Sequence, residues 1–217
     1  MSNLNFIEAK KVVLKKITKS DLSKVARVHI DSFPASALTK LGPQIVQRYY
    51  FWQLTGPHKK VYAVGAFIGK DCVGFSFSGE FNGSISGFID NNKFFLGREI
   101  LFRPWLLLNP LFLNRIFSGV RILKKFYKTG KKSGAHKTKE PSFGILSIAV
   151  ASDRQKLGIG QILMKDAENE ACRCGYRQMH LTVSTENEKA IRFYEKLGWE
   201  KRLSDGAWKG SMTKTLN

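Results

Sequence analysis

The chain has 217 residues, 43% of them hydrophobic, and its 36 lysines and arginines against 17 acids give a formal net charge of +19. This composition excludes a disordered chain, and the length suffices for one domain with a substantial core. No stretch approaches the roughly 18 uncharged apolar residues of a membrane-spanning helix, and the N-terminus lacks the plan of a signal peptide. We therefore expect a cytoplasmic protein with one domain over residues 1–217.

The N-terminal half predicts a strand, two helices and a hairpin. A strand is predicted at residues 11–17, followed by an N-cap at Thr18-Lys-Ser-Asp21 and an amphipathic helix that ends at Pro34. A second helical pattern spans residues 37–54 and is interrupted at Gly42-Pro43. Strands at residues 61–68 and 72–78 flank Gly69-Lys-Asp71, which is a hairpin signal.

Residues 82–139 are predicted to form a basic helical insertion after the third strand. Ser, Gly and Asn at 82–92 indicate a loop, residues 116–127 an amphipathic helix, and residues 129–139 a linker. Residues 93–139 hold twelve lysines and arginines against one acid, Glu99, and so carry +11 of the net charge. Such a segment is typical of contact with an anionic membrane surface or with an anionic ligand that accepts a group in a reaction. A solvated face without a role is the plainer alternative.

After Pro141 strands and helices alternate again. Strands are predicted at 143–150 and 179–184 and helices at 160–174 and 188–197, each helix ended by a glycine. Two more strands are predicted at 199–203 and 207–213. This order of elements indicates an α/β fold, with a central mixed β-sheet flanked by helices.

The connection between the strand at 143–150 and the next helix is the most specific stretch of the chain. Its sequence, Gln155-Lys-Leu-Gly158-Ile-Gly160, places two glycines where a strand ends and a helix begins. Unpaired N–H groups and the positive end of the helix dipole favour a bound anion at such a turn. The turn therefore predicts a site for a phosphate-bearing cofactor.

Together with a second motif, this turn resembles the GCN5-related N-acetyltransferase (GNAT) family. Gln155-Lys-Leu-Gly158-Ile-Gly160 matches the family's Q/R-x-x-G-x-G/A signature. Asn187-Glu-Lys-Ala-Ile-Arg-Phe-Tyr194-Glu-Lys-Leu-Gly-Trp199 matches its second hallmark, an Asn followed by an Ala-x-x-x-Tyr-x-x-x-Gly-Phe/Trp run. The resemblance covers residues 143–200 well and the N-terminal half in element order only.

The resemblance implies acetyl transfer from acetyl-CoA to an amine. It places the pyrophosphate of coenzyme A on the turn and the pantetheine arm along the preceding strand, which splays from the next strand at a bulge. Tyr194 would lie near the sulfur and protonate the departing thiolate, and the Val150 N–H would stabilise the negative oxygen of the intermediate. The residues implied to bind the cofactor are Ile148, Ala149, Val150, Gln155, Lys156, Leu157, Gly158, Ile159, Gly160, Gln161 and Asn187. The plainer alternatives are a core aromatic at Tyr194 and a helix cap at Asn187.

The proton acceptor for the amine is left open. An ordinary amine with a pKa near 10.4 is neutral in roughly 1 part in 10³ at pH 7, so a base is needed. Many relatives carry a carboxylate on the strand before the glycine turn, where this chain has Ser147. Glu80, at the end of the third strand, is the nearest acid and the first candidate; His180, Ser147 and a chain of water molecules are alternatives.

Other classes of protein remain as alternatives. Residues 93–139 are compatible with a nucleic-acid-binding protein, although the chain has no recognised nucleic-acid fold signature. Ser147 keeps open a catalytically silent coenzyme A-binding module. The spacing of Cys72, Cys172 and Cys174 fits neither a disulfide framework nor a zinc site, so no metal is expected. His29 is expected to be a core histidine, and the oligomeric state is left open.

Overall fold

Seven strands form one mixed sheet in the computed structural model, which describes residues 12–81, 84–105, 143–204 and 206–216. The strands lie in the order β1-β2-β3-β4-β5-β7-β6, and neighbours are antiparallel except for the parallel pair β4 and β5. Their bounds are β1 Val13–Lys16, β2 Lys60–Ile68, β3 Asp71–Glu80, β4 Phe143–Val150, β5 Gln178–Thr182, β6 Glu200–Ser204 and β7 Ala207–Thr215.

Helices cover both faces of this sheet. In the same described residues they are α1 Leu22–Ser32, α2 Ala37–Leu41, α3 Pro43–Thr55, α4 Ser84–Leu101, α5 Ile159–Arg173 and α6 Glu188–Lys196. Short 3-10 turns at Lys19–Asp21 and Ser152–Arg154 precede α1 and follow β4. None of the described helices combines the length and the apolar character that crossing a membrane requires.

Most predicted elements are confirmed in type and order. The predicted break at Gly42-Pro43 separates α2 from α3, because Gly42 adopts a φ of +98° and Pro43 occupies the first helical position. The predicted hairpin joins β2 to β3 through Gly69, whose φ is +61°. The predicted boundaries shift by one or two residues, as is usual at the ends of elements.

The prediction of a loop at residues 82–92 is wrong, because α4 begins at Ser84. Phe88 on this helix is 3% exposed, and the Trp52 indole N–H of α3 donates to the Ser84 carbonyl at 2.9 Å. A Cβ on Gly87 would lie 2.7 Å from the Trp52 ring, so the glycine lets the two helices approach. Packing against α3 thus outweighs the low helix propensity of Ser, Gly and Asn. The predicted helix at 116–127 and linker at 129–139 lie outside the described residues.

A hydrophobic cluster lies on each face of the sheet. On one face α1, α3 and α4 pack against β3 around Phe75 and Phe77, both fully buried. On the other face α5 and α6 pack against β4, β5 and β7 around Met164, Met179 and Met212. Strand β4 therefore lies between two different sets of helices, and each of its faces packs against one of them.

Candidate functional site

A gap opens in the sheet between the parallel strands β4 and β5. β4 pairs with β5 only over residues 143–145, opposite residues 179–181. On its other edge β4 stays paired with β3, but the register shifts so that Leu146 is an extra residue between Ile145 and Ser147. Such a β-bulge bends its strand. From Leu146 onward no described strand pairs with the edge of β4 that faces β5.

The backbone of β4 directs hydrogen-bonding groups into this gap. The Ala151 N–H donates to the Val73 carbonyl at 2.9 Å, and the register of β3 and β4 is regular from there back to Ser147. Because hydrogen-bonded positions alternate along an antiparallel ladder, Ile148 and Val150 direct their backbone groups away from β3. An extended ligand can therefore pair with this edge as an added strand.

β4 leads into the glycine turn and the N-terminus of α5. Lys156 (φ +64°) and Gly158 (φ +78°) adopt the left-handed conformation. Among the described residues, Lys156 is the only non-glycine with a positive φ. Gly158 caps α5, whose first N–H groups have no partner within the helix. Among the described atoms, a Cβ on Gly158 would meet only Gln161 Oε1, at 3.9 Å. Open space therefore borders a cluster of donors that suits an anion.

The C-terminal end of α1 holds the start of this turn in place. The Ser32 hydroxyl donates to the Val150 carbonyl at 3.0 Å, and Gln155 Nε2 donates to the same oxygen at 3.2 Å. The Ser152 hydroxyl donates to Asp31 Oδ1 at 2.9 Å. Asp31 and Ser32 could not be predicted from the sequence, because no local pattern indicates a contact across about 120 residues of chain.

The residues predicted to bind the cofactor form one path along the gap and the turn. Residues 148–150 lie on β4, residues 155–158 in the turn and residues 159–161 in the first turn of α5. Gly160 lets α6 approach, since a Cβ there would lie 3.3 Å from the Phe193 ring. Asn187 caps α6, with its Oδ1 accepting from the Ala190 N–H at 3.2 Å. The structure brings residues 148–150 and 155–161 onto one path, and the contacts of these residues and of Asn187 with a cofactor stay a prediction.

Tyr194 lies on α6 within the cluster on the α5 face of the sheet. Its side chain is 9% exposed, and its ring packs against Phe193 and Trp199, with ring centroids 5.4 and 6.2 Å apart. Burial raises the pKa of Tyr194 to about 12, so the phenol stays protonated throughout the neutral range. This packing agrees with the plainer alternative of a core aromatic, and the catalytic role of Tyr194 stays a prediction.

Glu80, the first candidate for the base, lies at the end of β3 beside Phe143. Its side chain is 8% exposed, and the Tyr176 hydroxyl donates to its Oε1 atom. Tyr176 follows the C-terminal end of α5, whereas the anion site lies at the N-terminal end of that helix. Along β4, roughly 10 Å separates Phe143 from Leu146, where the gap opens. The structure places Glu80 outside the gap, which disfavours it as the proton acceptor, and turnover by a Glu80 variant tests that prediction.

The two other candidates, His180 and Ser147, lie on the face of the sheet opposite α5. The His180 ring on β5 lies beside Gly144, where a Cβ would come within 2.6 Å of its Cε1 atom. Ser147 shares its face of β4 with Ala149, which packs into the cluster of α1 and α3, whereas Ile148 packs towards α5. Of the two, Ser147 is the one that borders the gap directly.

A chain of hydrogen bonds connects Ser147 to the interior of the α1 and α3 layer. Ser147 Oγ lies 2.9 Å from the Tyr50 hydroxyl, which lies 2.8 Å from His29 Nδ1. His29 Nε2 in turn lies 3.3 Å from Ser36 Oγ. Burial lowers the pKa of His29 to about 4 and raises the pKa of Tyr50, so both side chains are neutral near pH 7. The prediction of a core histidine is confirmed, but its partners were not foreseen.

A metal centre has no candidate ligand set in the described parts of the chain. No group of three or more His, Cys, Asp or Glu side chains there is close enough to hold an ion. Cys72, Cys172 and Cys174 are free thiols. Burial raises the pKa of Cys72 to about 11, so this thiol is protonated at neutral pH and is a poor ligand or nucleophile.

The mixed sheet, its gap and the glycine turn at a helix N-terminus together define the architecture of an acetyltransferase fold. A sequence profile described as the acetyltransferase (GNAT) family matches residues 27–199. The chain belongs to this family.

Solved structures share the fold. PaiA N-acetyltransferase from Thermoplasma acidophilum, solved in complex with coenzyme A, is 14% identical with a TM-score of 0.55 over 94% of this chain and 98% of that chain. The yncA protein from Salmonella typhimurium, solved with its cofactor acetyl-CoA, is 14% identical with a TM-score of 0.51 over 95% of each chain. The ribosomal-protein-S18-alanine N-acetyltransferase from Escherichia coli is 12% identical with a TM-score of 0.53, over 95% and 94%. The predicted family and mixed sheet are confirmed.

Replacing His29 is expected to change how stability depends on pH. A pKa of about 4 in the folded state against 6.5 in the unfolded chain contributes stability that is fully present above pH 6.5 and is lost as the pH falls towards 4. The difference between these pKa values corresponds to roughly 3 kcal/mol. Between pH 7 and 4, the free energy of unfolding should therefore fall by about 3 kcal/mol more in the wild type than in His29→Gln.

Urea unfolding at a series of pH values measures this difference. His58→Gln is the matched control, because His58 contacts the Trp52 carbonyl at 3.3 Å near the end of α3 and has no contact with the chain from Ser147. The control should keep the wild-type pH dependence. An unchanged slope in His29→Gln would contradict the neutral, buried state of this histidine.

Replacing Glu80 by Gln separates a catalytic role from a structural one. The Gln side chain still accepts the hydrogen bond of Tyr176 but is a very weak base, whereas Tyr176→Phe removes the hydrogen bond and keeps the carboxylate. Because Glu80 lies outside the gap, we expect Glu80→Gln to retain acetyl-CoA turnover within about threefold. Tyr176→Phe should lose about 1–3 kcal/mol of unfolding free energy, since a buried acceptor loses its partner. A loss of turnover above about 100-fold in a stable Glu80→Gln variant would instead support Glu80 as the base.

Proposed function

We propose that this protein is a cytoplasmic enzyme that transfers an acetyl group from acetyl-CoA to a primary amine of a small or sugar-like acceptor. The observation that carries the proposal is the gap between β4 and β5, which runs from the glycine turn towards the middle of the sheet. The complexes of PaiA with coenzyme A and of yncA with acetyl-CoA support the choice of ligand. No metal takes part in the proposed reaction.

The proposed cofactor contacts follow from the polarity of the gap. Backbone amides of residues 155–161 would bind the pyrophosphate at the positive end of α5. The backbone groups of Ile148 would pair with the amides of the pantetheine arm, and Asn187 would bind the same arm from α6. This arrangement would aim the thioester along β4 towards the bulge at Leu146.

Attack by the amine requires stabilisation of charge on two atoms. The carbonyl oxygen becomes negative, and the Val150 N–H, directed into the gap, would donate to it. Tyr194, held protonated by burial, would donate a hydrogen bond to the departing sulfur. Full proton transfer from a phenol of pKa about 12 to a thiolate of pKa about 8.5 is uphill by roughly 5 kcal/mol. We therefore assign Tyr194 the stabilisation of the thiolate. As the C–N bond forms and the C–S bond breaks, the amine releases one proton to solvent, and solvent returns one proton to the thiolate.

The described start of the basic segment supports an acceptor with anionic and apolar character. Phe94, Leu101, Phe102 and Trp105 are 85%, 77%, 67% and 60% exposed on or just after α4. Lys93, Arg98 and Arg103 lie among them. Exposed aromatic and basic side chains together suit a sugar nucleotide, a lipid-linked sugar or an anionic membrane surface. Of these, the sugar nucleotides and lipid-linked sugars that carry an amine are the first acceptors to screen.

Acetyl-CoA binding tests the proposal, with the two glycines that flank α5 as a matched pair. Gly158 at its N-terminus and Gly175 beyond its C-terminus share the left-handed conformation, with φ of +78° and +81°. Alanine at either position should cost about 1–2 kcal/mol of stability. Only Gly158→Ala should also weaken acetyl-CoA binding, by about tenfold or more, because its Cβ enters the space assigned to the pyrophosphate.

Isothermal titration calorimetry measures these affinities, and mass spectrometry of amines incubated with acetyl-CoA identifies the acceptor. Equal loss of affinity for acetyl-CoA in the two variants would contradict the placement of the pyrophosphate at the turn. No binding of acetyl-CoA or coenzyme A by the wild type would overturn the proposal. Salt-sensitive binding of nucleic acid in that case would favour the alternative of a nucleic-acid-binding protein.

Tyr194→Phe distinguishes an enzyme from a silent coenzyme A-binding module. Loss of one hydrogen bond to the leaving sulfur should lower kcat by about 10- to 100-fold, while the affinity for acetyl-CoA stays within twofold. The release of coenzyme A, followed with a thiol reagent, gives the rate. Tyr62→Phe is the control, since the Tyr62 hydroxyl donates to Asp166 at 2.9 Å instead. Equal rates in Tyr194→Phe and the wild type would remove Tyr194 from the mechanism.

A further inference from the structure

The hydrogen-bond chain from Ser147 to Ser36 connects four elements. Ser147 lies on β4, Tyr50 on α3 and His29 on α1, and Ser36 caps α2. The three contacts are 2.9, 2.8 and 3.3 Å long. Tyr50 is fully buried and His29 is 5% exposed, so the protein supplies their partners in place of bulk water. A hydroxyl at the gap is thereby tied to a buried imidazole.

The chemistry of these groups fixes the direction of the chain. Neutral imidazole has one nitrogen that donates and one that accepts. Its free nitrogen is a much stronger base than a phenol oxygen, and a phenol is a better donor than an aliphatic hydroxyl. The favoured order therefore has Tyr50 donating to His29 Nδ1, while His29 Nε2–H donates to Ser36. Ser36 Oγ already accepts from the Thr39 N–H at 3.4 Å and has a second lone pair for this bond.

This order determines what Ser147 offers to a ligand. Because the hydrogen of Tyr50 is committed to His29, the Tyr50 oxygen can only accept, and Ser147 must donate to it. The lone pairs of Ser147 Oγ then remain for a donor outside the chain. Ser147 is half-buried and is the first residue after the bulge. Its side chain lies on the face opposite α5, away from the proposed cofactor path.

We propose that Ser147 Oγ accepts a hydrogen bond from an N–H of the attacking amine, and that Tyr50 and His29 are positioning residues that hold Ser147 in this accepting orientation. The proposal rests on the proposed function, since it deepens the acceptor side of the same site. The acceptor must therefore carry, on its attacking atom, a hydrogen that it can donate to Ser147. An N–H held by Ser147 leaves the nitrogen lone pair directed into the gap.

One experiment determines the donor and acceptor order of this hydrogen-bond chain and needs no acceptor substrate. Nitrogen-15 NMR of histidine-labelled protein at pH 7 should show His29 neutral, with its proton on Nε2 and Nδ1 accepting. Tyr50→Phe should shift the Nδ1 resonance, because its donor is lost. Tyr49→Phe, the same change one residue earlier on the same helix, should leave it in place. A proton on Nδ1 would reverse the chain and overturn the proposal.

A second experiment measures the consequence for the acceptor, with hydroxylamine as the probe. Release of coenzyme A from acetyl-CoA should show a kcat/KM for hydroxylamine at least tenfold lower in Ser147→Ala, with unchanged affinity for acetyl-CoA. Ser147→Thr keeps the hydroxyl and should restore most of the rate. Tyr50→Phe as a single change should lower kcat/KM. Added to Ser147→Ala it should lower kcat/KM no further, since Tyr50 acts through Ser147. Urea unfolding of each variant confirms that it is folded.

The outcomes separate the two proposals. No binding of acetyl-CoA by the wild type overturns the proposed function. Normal binding and turnover with a Ser147→Ala rate equal to the wild type overturns the role of Ser147 and leaves the proposed function standing. Additive losses in Ser147→Ala and Tyr50→Phe overturn the positioning role of Tyr50, because a purely structural tyrosine would act independently of Ser147.

Discussion

One extra residue in a strand, Leu146 in β4, is the constraint on which the site depends. A shift of one residue in a strand moves every later side chain to the other face of the sheet. Phe143 and Ile145 before the bulge and Ile148 after it all pack on the α5 face, which a regular strand would not allow. The bulge thus keeps apolar side chains under α5 and turns Ser147 towards the opposite layer. The same bend carries β4 away from β5 and opens the gap.

An open edge in the middle of a sheet costs free energy unless its backbone groups find partners. The Val150 carbonyl is satisfied by Ser32 and Gln155, which also hold the turn next to it. The remaining polar groups of this edge face the gap, where water or a ligand can bond them. Hydrophobic clusters on both faces hold β4 in place, so the gap is formed before any ligand arrives. Such a preformed site lowers the cost of ordering a ligand on binding.

Features carried by local patterns could be predicted from the sequence, and features carried by distant contacts could not. The glycine turn and α6 are short-range signals, and the structure places both as expected. Helix α4 was missed because its early residues favour a loop, and only its packing against Trp52 shows why it is helical. The contact between Tyr50 and Ser147 joins residues 97 positions apart. No spacing rule indicates such a pair, since it arises from the folding of α3 onto β4.

Charge gives a physical reason for a serine where a carboxylate would be the simpler base. The Tyr50 and His29 side chains behind Ser147 are buried and neutral, and they provide no positive partner for an anion. A carboxylate held there would lie against these neutral side chains and would lose part of its hydration, which raises its pKa. A hydroxyl oriented by neutral partners accepts an N–H without burying a charge.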